Sequence, residues 1–192
     1  TYNAVYAFDS DIQWYQNHYM RILGGQSAEN GGTPSRSLFG AAVFQLRKQR
    51  GFSYGFSFSH YGPEFHPAMG FVTRTGVNRI GQREQHSWFP GSQSNIQRFT
   101  LIHRGSNVWG NDTHHELETF DHRLQVETEF KSGASFELGF RYRYELLDDD
   151  FSVGEITIPA DEYRFTAVNG ELRSPSGGAV QYGLEASYGG YF

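Results

Sequence analysis

The chain has 192 residues, a net charge of −5, no cysteine, and 38% hydrophobic against 17% aromatic residues. Those values exclude a disordered chain, which is poor in aromatics, a disulfide framework or thiolate metal site, and a basic field able to hold nucleic acid. Scarce Leu and Ala beside 23 Gly disfavour a helical bundle, and no run approaches the ~18 apolar residues of a membrane helix.

Period-two alternation, which sends successive side chains to opposite faces of a strand, predicts about ten strands in chain order. The first, 2–15, carries Tyr2, Ala4, Tyr6, Phe8, Ile12 and Trp14 on one side. A second, 18–27, alternates poorly, and a third covers 37–48. The fourth, 51–61, sets Phe52, Tyr54, Phe56 and Phe58 against Ser53, Gly55, Ser57 and Ser59. Strands at 71–87 and 95–106 are again irregular and are placed mainly by position. The strand at 116–130 sets Phe120, Leu124, Val126 and Phe130 against Asp121, Arg123, Gln125, Glu127 and Glu129. That at 134–147 sets Phe136, Leu138, Phe140, Tyr142 and Tyr144 against Glu137, Gly139, Arg141, Arg143 and Glu145. Strands at 162–173 and 179–191 complete the series. Many exceed the ~5–6 residues usual in globular proteins. The chain opens and closes within strands, which reads as a piece of a longer protein; residues 1–192 read as one partial barrel domain.

Connections alternate between short ones, near 16–17, 49–50, 90–92, 131–133 and 175–178, and longer ones, near 28–36, 61–70, 106–115 and 148–161. All short links then fall at one end of an up-and-down meander, as in outer-membrane barrels. Face composition agrees. A soluble sandwich fills its shared core mainly with Val, Ile and Leu, whereas here the apolar side is Phe and Tyr and the other side mixes Arg and Glu with Gly and Ser. Lipid offers backbone groups no partners, so a sheet crossing it must close on itself. The only lysines, Lys48 and Lys131, fall at short turns. The expected fold is therefore an all-β antiparallel meander, part of a transmembrane barrel. Arg123, Arg141 and Arg143 are expected to pair with Glu127, Glu129, Glu137 and Glu145 on the side facing a wet lumen. Trp14, Trp88, Phe89 and Trp109, near strand ends, suit an interfacial aromatic girdle.

A more specific signal is the stretch from His60 to Arg79, with Pro63, Phe65, Pro67, Gly70, Phe71 and Arg74. It resembles the "P-x-F…GF-[VI]-x-R" turn of a large bacterial family of uncharacterised outer-membrane barrels, whose members usually carry an N-terminal domain similar to family 9 carbohydrate-binding modules. Val5-Tyr6-Ala7-Phe8-Asp9, the run from Ile158 to Phe165 and the closing Ser187 to Phe192 are similar too, so the resemblance spans the chain. It implies a bacterial outer-membrane location, insertion by the barrel assembly machinery, contact with the lipid bilayer and a link to glycan handling or passage. It supplies no catalytic residues.

Three clusters invite chemistry, and each has a plainer explanation. His114-His115-Glu116 with Glu118 and His122 has metal-ligand residue types, but adjacent histidines on a strand face opposite ways and no HExxH spacing occurs. Asp148-Asp149-Asp150 with Glu155 lacks the spacing of a calcium loop. Glu127 and Glu129 sit about 7 Å apart on one face at ~3.3 Å per residue, a separation met in glycosidases, but neighbouring arginines make ion pairing the simpler account. No catalytic residue, metal or cofactor is expected. The competing reading is a soluble all-β carbohydrate-binding module whose exposed rings stack on sugars. The loop 63–67 is expected to fold inward as a constriction, given its two prolines and the apolar Phe65 and Met69.

Overall fold

A computed structural model of the protein describes residues 2–67, 72–111, 115–154 and 156–190. The strands are β1 (Asn3–Trp14), β2 (His18–Glu29), β3 (Leu38–Leu46), β4 (Gly51–Tyr61), β5 (Val77–Trp88), β6 (Ile96–Gly110), β7 (Leu117–Phe130), β8 (Ser135–Leu146), β9 (Phe151–Val153), β10 (Ile156–Ile158), β11 (Glu162–Arg173) and β12 (Gly183–Gly189). Ten of them form one sheet in the order β1-β2-β3-β4-β5-β6-β7-β8-β11-β12, and β9 and β10 pair separately. The meander is antiparallel and up-and-down, as the alternation and turn spacing predict. Among the described residues no pairing joins β1 to β12. Among the described residues no helix is long and apolar enough to cross a membrane.

The boundaries differ from expectation at a few places. Residues 72–76 precede β5 rather than belonging to it, and Gly70 and Phe71 lie outside the described residues. The 148–161 connection contains the short β9–β10 hairpin, and a 3-10 turn at Pro34–Arg36 follows β2. That turn uses proline's fixed φ at its first position, where no backbone donor is needed.

The chain divides into two compact units. The first comprises Thr1–Arg47, Gly55–Gln82 and Ser106–Glu118. Its register pairs Ala7 with Gly25 and Phe8 with Gly24 across β1–β2, and Gly25 with Phe39 across β2–β3. These adjacent glycines give two rings room to lie flat on opposite faces. A Cβ on Gly24 would stand 2.9 Å from the Phe8 ring, and one on Gly25 would stand 2.4 Å from Phe39 and 2.2 Å from the Tyr6 carbonyl oxygen. The pair also explains why this strand alternates so weakly in sequence.

The second unit comprises Lys48–Tyr54, Arg83–Gly105 and Thr119–Phe192. Here the register sets Leu124 opposite Phe140 and Val126 opposite Leu138, with Val168 opposite Phe140 on the far side. On β8 the usual burial order of a soluble protein is reversed: Phe136, Leu138 and Phe140 are 39%, 46% and 49% exposed, whereas Glu145 is 6% exposed. Ser53, Ser87, Thr100 and Gln125 are buried too. Among the described residues the buried apolar side chains are only Phe65, Val77 and Ile102. Ile102 and Val77 share their strand faces with polar neighbours two residues away, Thr100 and Arg104 for one and Arg79 for the other.

Candidate functional site

The polar face of the second unit is held by hydrogen-bonded charges. The β7–β8 register sets Arg123 directly opposite Arg141 and Glu127 opposite Glu137, pairings that repel if each side chain stands upright. The arginines lean diagonally instead, and Glu127 is met along its own strand. Arg123 Nη2 donates to Glu137 at 2.7 Å, Arg141 Nε donates to Asp121 at 2.8 Å, and Gln125 Nε2 donates to Glu127 at 2.6 Å. Glu145 accepts from Thr119 and from Arg143, each at 3.1 Å, and Glu129 accepts from Arg98 on β6. Arg104 donates to Gln125 at 2.9 Å.

The expected Arg123, Arg143, Glu137 and Glu145 pairings are therefore present. Three others differ: Glu127 takes Gln125 on its own strand, Arg141 takes Asp121, and Glu129 takes Arg98. The last two follow from register, which the sequence does not display. Glu127 and Glu129 are bonded to different partners and do not act as a joined carboxylate pair.

Gly139 makes one of these contacts sterically free. It lies opposite Gln125, and a Cβ there would stand 2.6 Å from Asn169 Oδ1 and 3.0 Å from Arg123 Nε. The bare backbone lets Arg123 cross towards Glu137. We expect Gly139→Ala to displace Arg123 and weaken the protein by about 1 kcal/mol, a small value because both partners are partly hydrated. A double-mutant cycle with Arg123→Ala in urea unfolding checks this: the two losses should fail to add, and full additivity would detach Gly139 from the pair.

In the first unit the segment Gly62–His66 lies over the polar face. Gly62 N–H donates to Leu38 O at 2.7 Å and Glu64 N–H to Arg36 O at 2.9 Å, so the chain runs along β3's entry. The Glu64 carboxylate accepts from Thr33 N–H at 2.7 Å and meets Arg36 Nε at 2.7 Å. Beyond it, His66 N–H donates to Ser27 Oγ of β2 at 3.1 Å, and Asn3 of β1 donates to the His66 carbonyl at 2.9 Å. Phe65 is 4% exposed, its ring centroid 4.6 Å from Phe39 and 6.1 Å from Tyr61. The loop therefore packs on the polar side of β1–β3, the side expected to face a lumen. Pro63 is exposed and Pro67 half-buried; Arg74 donates to Glu118 at 3.0 Å.

On β1–β3 of the same unit a cavity of about 570 Å³ is lined by Asp11, Gln13, Tyr19, Arg21, Val43, Gln45 and Arg47 among others. Arg21 is bidentate to Asp11, with both bonds 2.7 Å. The Arg47 guanidinium lies 4.5 Å from the Tyr19 ring centre and donates to Gln45 at 2.8 Å. Fixed hydrogen-bonding groups beside an aromatic ring are the usual furniture of a small-molecule site.

The strand-end aromatics are distributed as follows. Trp14 ends β1, exposed and stacked on His18 at 5.8 Å. Trp88 ends β5, exposed, between His86 at 4.2 Å and Phe99 at 5.5 Å. Phe89 follows it, half-buried with the Arg50 guanidinium 5.8 Å from its ring. Trp109 is the penultimate residue of β6 and half-buried.

Of the suspected ligand cluster, His114 lies outside the described residues, Glu118 holds Arg74, and His122 is bonded to His103. Of the acidic loop, Asp150 accepts from Ala160 N–H at 2.9 Å, and Glu155 lies outside the described residues. Comparison with protein-family models, with curated proteins and with solved structures returns no match for this chain.

Sequence reasoning missed Arg98 and Arg104 on the polar face, and it placed Asp121 there without its pairing to Arg141. It also missed Glu84 and His103, which belong to strands whose irregular alternation was itself the available signal.

Proposed function

We propose that this chain forms part of the wall of a bacterial outer-membrane β-barrel, with its ion-paired face lining a water-filled lumen and its aromatic face meeting acyl chains. The reversed burial carries the reading: rings and aliphatic side chains are outermost, while Glu145, Gln125, Ser53 and Thr100 are covered. A soluble protein rarely leaves so continuous an apolar surface open to water, whereas barrels in lipid place their apolar residues outside and their charges inside. Insertion then depends on the barrel assembly machinery. The segment over β1–β3 narrows the lumen, and the cavity with Arg47 and Tyr19 is where a glycan or other small polar solute would be held during passage. The reading assigns no catalysis and no cofactor.

Fractionation tests it. The protein should stay with membranes after alkaline carbonate washing, require detergent for extraction and shift mobility on heating in a denaturing gel. A protein that is monodisperse in buffer without detergent would remove the barrel and leave the soluble carbohydrate-binding module, with exposed rings such as Tyr6 and Tyr188 as sugar platforms.

A further inference from the structure

On the polar face of the second unit four arginines each meet a carboxylate: Arg98 with Glu129, Arg123 with Glu137, Arg141 with Asp121 and Arg143 with Glu145. Arg83 of β5 and Arg104 of β6 depart from that pattern. Arg83 Nη2 donates to Gln85 Oε1 at 2.9 Å, and Arg104 Nη1 donates to Gln125 Oε1 at 2.9 Å, so both acceptors are neutral amides. Among the described residues neither guanidinium has a carboxylate partner. An arginine carries five N–H donors, so most of those on this pair are left over.

The two arginines also face each other. Glu84 and His103 are bonded on one side of β5–β6 at 2.7 Å, and Ser87 and Thr100 on the other at 3.1 Å. A single antiparallel register satisfies both contacts, and it sets Arg83 opposite Arg104. Arg83 shares the face of Ser87 and Arg104 the face of Thr100, which is the polar side. Opposed Cβ atoms on such a pair lie about 5 Å apart, and like charges there destabilise the strands. Arg83 acts on Arg104 more strongly than any other charge does, Glu127 included. Gln125 donates to Glu127 at 2.6 Å while accepting from Arg104, so the amide bridges the two charges. Arg83, Arg104 and Glu127 together keep a net positive charge. Arg104 is half-buried, and the sheet gains nothing from placing it against Arg83.

We propose that Arg83 and Arg104 form a binding site for the phosphate oxygens of a solute passing through the lumen; the inference rests on the membrane reading above and names the chemistry of the cargo. A phosphate group carries nearly two negative charges at neutral pH and three strong acceptor oxygens, which suits two guanidiniums at once. A carboxylate has one charge and two oxygens, and a single bidentate arginine satisfies it, as Arg21 does for Asp11. The glutamine amides steady the guanidiniums without neutralising them, so the donors are held ready for an anion. A phosphorylated sugar joins this chemistry to the glycan reading.

The test is calorimetric titration of the full natural chain, purified in detergent, with glucose 6-phosphate, inorganic phosphate, glucose and glucuronate. The two phosphates should bind at least tenfold more tightly than glucose or glucuronate. Tighter binding of glucose 6-phosphate makes the cargo an ester, and tighter binding of inorganic phosphate makes it the free ion. Arg83→Gln and Arg104→Gln leave no carboxylate without its partner and should each weaken phosphate binding about tenfold, the loss of one charge-assisted hydrogen bond. Arg173→Gln removes an equal charge at the end of β11 and should leave the affinity unchanged. Heat-dependent gel mobility shows that each variant is folded. No phosphate binding, glucuronate binding as tight as that of the phosphates, unchanged affinity in both site variants, or an equal loss in Arg173→Gln would each overturn the proposal. Retention in carbonate-washed membranes is scored in parallel. Membrane-bound protein that ignores phosphate defeats the site alone, whereas release into the wash defeats the barrel reading and passage through a lumen with it.

Discussion

Phe140→Arg is expected to destabilise the vesicle-inserted protein by about 2–4 kcal/mol in urea unfolding, the range for a cation at mid-depth on a lipid-facing strand. Phe140 is the sixth of the twelve residues of β8 and half exposed, with Leu124 and Val168 as its cross-strand neighbours. The sign is what discriminates. Were this ring facing water, a half-exposed phenylalanine could become arginine within about 0.5 kcal/mol, because surface changes away from special features are nearly neutral. In acyl chains the guanidinium has no water and no acceptor in reach. Phe140→Leu, which keeps the site apolar, should cost little and controls for shape. A neutral or stabilising arginine would put this face in water.

Phe65→Ala is expected to release the segment over β1–β3 and raise single-channel conductance in planar bilayers. The ring is almost fully enclosed by Phe39 and Tyr61, and truncating a buried phenylalanine typically costs about 3–5 kcal/mol. That loss falls on a short segment whose other anchors are individual hydrogen bonds from Asn3, Thr33, Gly62, Glu64 and His66. The expected consequence is local opening with the sheet intact. Asn3→Ala combined with Ser27→Ala removes anchors without touching a ring and should raise conductance in the same direction. Folded channels with unaltered conductance in both variants would place the segment outside the conducting path.

Most of the strand framework was legible because side-chain period survives wherever one face is uniformly apolar. β4, β7 and β8 follow this rule, and their limits differ from expectation by a residue or so at each end. The exceptions have separate physical causes. β2 loses its period at Gly24 and Gly25, which leave both faces bare for neighbouring rings. β5 and β6 lose it because Glu84 and His103 place polar groups among apolar ones, so both sides of the strand read as wet. The β9–β10 hairpin, with three residues in each strand, is too short to show a period at all.

The ladder of charges was legible in kind and not in partner. Residue types said that Arg123 and Arg143 belong with glutamates on one face. Only the register shows that Arg123 meets Arg141 head-on and that each must turn along a different diagonal. Asp121 and Arg98 acquire their roles through that same geometry. The prolines and Phe65 point to a packed loop at 63–67, but its anchorage on Ser27 and Asn3 of the polar side joins positions too far apart in sequence to be inferred.

The bare peptide at Gly25 has an implication for heredity. Alanine has no room there, and the ring occupying the vacant place belongs to Phe39, which in turn braces Phe65. Natural descendants that preserve this arrangement must pass on the small residue and the ring as one package; a lineage that gains a side chain at 25 would have to shrink residue 39 and also move the β1 backbone away at Tyr6.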